Sequence, residues 1–96
     1  MKDNLTFVLF TPDCNFPELE CDSVKLNIAD SISGKFSGAY GIRKGHAEAV
    51  FALAEGIVSV KYQEKVIFSA KCSDGFATVK DNVVSVTVDS AQEQKI

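Results

Sequence analysis

Three cysteines, Cys14, Cys21 and Cys72, and the single histidine, His46, carry the most reactive side chains in this 96-residue chain. Together they could supply a Cys3His zinc site, since zinc takes four nitrogen or sulfur ligands in a tetrahedron. The spacing argues against it, because no C-x2-C pair brings two thiolates together locally. A thiol nucleophile with His46 as its base is the other chemistry these residues allow. Glu18 and Glu20 would share one face of a strand, the arrangement of a carboxylate pair. They adjoin the turn at Pro17, however, and read more naturally as a solvated edge. The segment from Ser31 to His46 holds four of the six glycines with Lys35, Arg43 and Lys44, and has no acidic residue. Backbone N–H groups exposed by such glycines could cradle an anion, yet the spacing of Gly34, Gly38, Gly41 and Gly45 fits neither GxGxxG nor GxxxxGK[ST]. The simpler expectation is that these glycines supply positive φ angles at turns. No GxSxG, HExxH or EF-hand loop is present.

The elements that must position these residues follow from size and pattern. Ninety-six residues allow one hydrophobic core, and 46% hydrophobic with 24% charged residues is ordinary globular composition. A formal charge of -3 argues against a general preference for nucleic acid or anionic lipid. The longest run without a charged side chain, Asn4 to Pro12, is about half of the ~18 residues a spanning helix needs. The opening Met1-Lys2-Asp3 is followed by a short apolar run without a cleavage site, so no secretory signal is expected. An odd cysteine count at irregular spacing suits free thiols in a reducing compartment.

Valine, phenylalanine and period-two alternation predict an all-β chain. Leu5 to Thr11 is apolar on both sides and reads as an inner strand covered twice. Ser23 to Ile28 alternates Val24, Leu26 and Ile28 against Ser23, Lys25 and Asn27. Two hairpins follow, one turning at Gln63-Glu64 and one at Asp81-Asn82 between Gly75–Lys80 and Asn82–Asp89. Strands at this spacing predict a flattened two-sheet β-sandwich of about nine or ten short strands. Ala47 to Glu55 (AEAVFALAE) is built from helix formers, but nine residues lie below the ~12 that an isolated helix needs, so packing must decide. The sandwich is expected over residues 1–89, with a polar, frayed tail over 90–96.

Taken in order, several motifs resemble the N-terminal β-sandwich domain of the epsilon subunit of F-type ATP synthases. TFVLFTPD is similar to the family's opening strand and turn, and CDSVKLNI to its next strand. GAYGIRKGHAEAVFALAEG resembles its GxxG turn, Gly-His and following glycine, matched at Gly38, Gly41, Gly45, His46, Ala47, Leu53 and Gly56. FSAKCSDGFATVKDNVVSVTVDSA resembles its last hairpin at Gly75, Phe76, Val79, Asn82, Val84 and Val86. The sequence departs from that pattern at Arg43-Lys44, at Glu48, at Asp74, and at Ala39, where an acidic residue is common. Several extra residues lie between Ile28 and Gly38, making the loop from Ser31 to Ser37 look inserted.

The resemblance implies that Ala47 to Glu55 is strand. It also implies a non-catalytic central-stalk subunit with no cofactor, coupling the gamma subunit to the membrane rotor ring of c subunits. The implied contacts are Lys35, Gly38, Ala39, Tyr40 and Gly41 for the ring, and Thr11, His46 and Phe51 for gamma. The implied location is the cytoplasmic face of the inner (plasma) membrane, reached only through the complex. Most bacterial members continue into an inhibitory helical hairpin; this sequence ends at Ile96, as either a naturally short form or the sandwich alone, and a subunit without those helices is expected to couple without that inhibition. The residues alone leave two other readings: a thiol- or metal-dependent protein using Cys14, Cys21 or Cys72 with His46, and an anion-binding module using Lys35, Arg43 and Lys44.

Overall fold

The structure, a computed structural model, describes residues 4–30, 32–33 and 35–94. Ser31 and Gly34 of the glycine-rich segment, and Lys95 and Ile96 of the tail, lie outside the described residues. Among the described residues ten strands run in chain order: β1 (Leu5–Phe10), β2 (Leu19–Cys21), β3 (Ser23–Ala29), β4 (Phe36–Arg43), β5 (Ala49–Leu53), β6 (Gly56–Tyr62), β7 (Lys65–Cys72), β8 (Gly75–Lys80), β9 (Val83–Val88) and β10 (Ala91–Glu93). No helix among the described residues is long and apolar enough to cross a membrane.

Hydrogen bonding follows one path, β10-β7-β6-β3-β5-β8-β9-β1-β2, with β4 along the other side of β3. The path folds over at β3. The first half of that strand pairs β6 through Ser23, Val24 and Lys25, and its far end meets β5 only at Ile28↔Leu53. The expected two sheets are therefore layers of one continuous, curled sheet. Their inward residues alternate along each strand: Leu5, Phe7 and Leu9 with Val84, Val86 and Val88 in one layer, and Val24 and Leu26 with Val58, Val60, Phe68 and Ala70 in the other. The Phe7 and Phe68 ring centroids lie 5.8 Å apart, closing the layers on each other. Phe16 caps Phe68 edge-on at 5.9 Å.

Both hairpins turn where the sequence places them. Gln63 and Glu64 have φ of 51° and 66°, and Asp81 and Asn82 have 51° and 62°. Consecutive left-handed residues match the right-handed twist of the flanking strands. Asp22 supports the first turn by accepting the Gln63 N–H. Gly75 is required for close approach: a Cβ there would stand 2.1 Å from the Thr87 carbonyl oxygen.

Ala47 to Glu55 holds a strand as the resemblance implies: β5 satisfies its backbone by pairing with β8 from Ala49↔Val79 to Leu53↔Gly75, which overrides its helix propensity. Three expectations need correction. The tail expected to fray instead adds β10 to β7 through Ala91↔Cys72, Gln92↔Lys71 and Glu93↔Ala70. β1 is not covered on both faces along its length: outward-facing Thr6 is buried, Val8 half-buried and Phe10 54% exposed. Gly38 and Gly41 are not turn residues; they lie inside β4 opposite Ile28 and Lys25, and neither has a positive φ. Gly45, at φ 83°, does fill that role.

Candidate functional surfaces

His46 sits in the connection between β4 and β5, where its sequence neighbours fix its ring. Its Nδ1 donates to the Ala47 carbonyl at 2.7 Å, leaving Nε2 to accept the Tyr40 hydroxyl at 2.9 Å. Phe51 closes the group, with ring centroids 5.2 Å from Tyr40 and 6.0 Å from His46. Residues assigned by resemblance to two different partners, Tyr40 to the ring and His46 and Phe51 to gamma, thus form one aromatic corner. Asn82 ties that corner to the sandwich: its Oδ1 accepts the Gly45 N–H at 2.7 Å, and its carbonyl accepts the Thr6 N–H at 2.8 Å. Thr11 stands apart at the end of β1. There its hydroxyl accepts the Cys14 N–H and donates to the Cys14 carbonyl, each at 3.0 Å.

β4 carries the remaining ring candidates. It pairs with β3 along one side from Ser23↔Arg43 to Ala29↔Phe36, and its other side has no strand partner among the described residues. Phe36 and Tyr40 are 59% and 41% exposed on this edge. Lys35 precedes it in an exposed loop shaped by Asp30, whose carboxylate accepts the Ile32 and Ser33 N–H groups. The bonds from Ser33 and then Ile32 hold the Asp30 carboxyl below the usual carboxylate range.

The anion set of Lys35, Arg43 and Lys44 is not assembled. Lys35 and Arg43 occupy opposite ends of β4, roughly 25 Å apart at the usual strand rise. Nor do the thiols meet His46. Cys21 and Cys72 are buried, and burial pushes both up to about 11. Cys14 is exposed. Among the described residues no three His, Cys, Asp or Glu side chains gather to hold a metal. Glu18 precedes β2 and Glu20 lies on it opposite Thr6, both exposed.

The surface that sequence reasoning missed is the outer face of β5, β8, β9 and β1. Register sets two rows across the four strands, Ala52–Phe76–Thr87–Phe10 and Val50–Thr78–Ser85–Val8. None of the eight is charged. Val50, Phe10 and Phe76 are 73%, 54% and 49% exposed, an apolar concentration of the kind that marks an interaction surface. Charge begins one row further, where Lys80 pairs with Val83 and Thr6 with Glu20. The signal was present in part, since Leu5 to Thr11 reads as apolar on both faces. Locating the face also requires the parallel β1–β9 pairing, which joins distant parts of the chain.

A curled β-sandwich with an exposed edge strand and one uncharged face presents surfaces of the kind that suit protein contacts. Residues 4–94 match the family described as "ATP synthase, Delta/Epsilon chain, beta-sandwich domain", and the chain belongs to that family. It is 32% identical over 92 residues to the chloroplastic ATP synthase epsilon chain of Oltmannsiellopsis viridis, covering 96% of this chain and 64% of that one. It is 34% identical over 71 residues to the ATP synthase epsilon chain of Staphylococcus aureus strain JH9, covering 74% of this chain and 49% of the relative. The chain therefore spans about half to two thirds of these relatives. Among solved structures, a chain of the Euglena gracilis mitochondrial ATP synthase OSCP/F1/c-ring assembly superposes with a TM-score of 0.76 at 25% identity, covering 97% of this chain and 55% of that one. A chain of the Tetrahymena thermophila mitochondrial ATP synthase central stalk and c-ring shares the fold, with a TM-score of 0.70 at 15% identity, covering 94% and 66%.

Proposed function

We propose that the chain is a non-catalytic central-stalk component of an F-type ATP synthase, coupling the gamma subunit to the rotor ring of a membrane-bound complex. The observation that carries this reading is the uncharged outer face of β5-β8-β9-β1 in a chain of this family. Such a face suits a permanent protein contact, in which Phe10, Val50 and Phe76 act as apolar anchors and the serine and threonine rows between them pack flat. Gamma is the partner assigned to it, with Thr11 at its rim one residue beyond Phe10. His46 and Phe51 act beneath that contact by holding the β4–β5 corner.

The ring contact falls to Lys35 and the exposed edge strand through Gly38, Ala39, Tyr40 and Gly41. Torque transfer needs a stiff body between the two contacts, which the cross-layer core supplies. The location proposed with this role is the cytoplasmic face of the inner (plasma) membrane, as a peripheral subunit of the complex. Co-elution with the cognate gamma subunit on size exclusion at physiological salt tests the reading. A stoichiometric complex is expected, and failure to bind a folded gamma subunit contradicts it.

A further inference from the structure

The opposite layer presents a surface of another character. Cross-strand register sets Arg43, Ser23 and Lys61 in one row across β4, β3 and β6, and Gly41, Lys25 and Ser59 in the next. These six residues line a notch of about 230 Å³ whose wall contains no carboxylate, although the whole chain carries a formal charge of -3. Gly41 opens the notch, because nothing lies within 4 Å of where its Cβ would be. Asp22 and Glu64 border the adjoining cleft beyond Arg43 and Lys61, and Asp22 is engaged by the Gln63 N–H.

We propose that this notch binds a compact phosphate anion, held by Lys25, Arg43 and Lys61 with the Ser23 and Ser59 hydroxyls on its floor. Arg43 offers a planar fork of donors to phosphate oxygens, and the two lysines supply charge from the neighbouring strands. Concavity and small volume favour a compact polyanion over an acidic protein segment, which would need a longer groove. The site lies on the layer facing away from Phe10, Val50 and Phe76 but shares Ala39, Tyr40 and Gly41 with the strand assigned to the ring contact, so it is tested on the 96-residue chain alone, where no ring competes for it.

The experiment is titration of the chain with inorganic pyrophosphate, followed by calorimetry and by amide chemical shifts. Saturable binding with shifts centred on Ser23, Gly41 and Ser59 is expected. Lys25→Gln, Arg43→Gln and Lys61→Gln should each weaken it about tenfold or more. Gly41→Leu places a side chain into the notch from a position with open space around its Cβ, and should abolish binding while leaving the thermal transition near the parent's. Lys71→Gln, on β7 outside the notch, should leave affinity unchanged. Absence of saturable binding at low salt, equal affinity in Gly41→Leu, or tighter binding of a polyglutamate peptide than of pyrophosphate would overturn the proposal.

Discussion

The Tyr40 hydroxyl donates to His46 Nε2 at 2.9 Å, joining edge strand β4 to the connection that leads into β5. Because Nδ1 is committed to the Ala47 carbonyl, the Tyr40 bond completes the imidazole's hydrogen bonding. Tyr40→Phe keeps the ring packing against Phe51 but leaves Nε2 without this donor. The expected cost is about 0.5–1.5 kcal/mol in urea unfolding. His46→Ala also removes two ring contacts and should cost more; equal stabilities would mean that the corner is held by packing alone.

Asn82 has two tasks, a left-handed turn conformation and the bond to the Gly45 N–H. Asn82→Gly preserves the first and loses the second, whereas Asn82→Ala loses both. The alanine variant should therefore be the less stable by about 1 kcal/mol, with both below the parent chain. The reverse order in thermal unfolding would refute this division.

Gly75→Ala would force a Cβ against the Thr87 carbonyl, a backbone atom that cannot swing aside. Separation of β8 from β9 should cost about 2 kcal/mol or more. A transition temperature equal to the parent's would show that the pair yields easily.

Cys21 and Cys72 resist ionisation in the folded chain because burial pushes both thiols up to about 11. In the unfolded chain they ionise near the ordinary thiol value. Their stabilising contribution is therefore complete below about pH 8.5 and falls as pH rises toward 11, by up to ~2–3 kcal/mol per thiol. At pH 8 a thiol reagent should modify Cys14 at once and the other two only on unfolding. Rapid modification of all three in the native chain would contradict the burial.

Local chemistry made the two hairpins readable, since alternating valines flank residue pairs able to turn. β5 was unreadable from propensity because Ala49 to Leu53 is strand only through β8, a partner more than twenty residues away. β4 and β10 were obscured because little of either is buried: Ile42 is the one buried residue of β4, and β10 is only three residues long, so neither carries a clear apolar alternation. The uncharged face escaped notice because Ser85 and Thr87 read as ordinary wet positions until Val8 and Phe10 are placed beside them. The family resemblance supplied the strand at Ala47 to Glu55 but not this surface.

The central claim is that gamma docks on the face carrying Phe10, Val50 and Phe76. Its most direct test is the affinity of the cognate gamma subunit for the parent chain, for Val50→Lys with Phe76→Lys, and for Lys71→Gln. Both lysine replacements sit at exposed positions and should leave the fold intact. The account predicts a loss of affinity on the order of 100-fold for the face variant and none for Lys71→Gln. Unchanged gamma affinity in a folded face variant would contradict it.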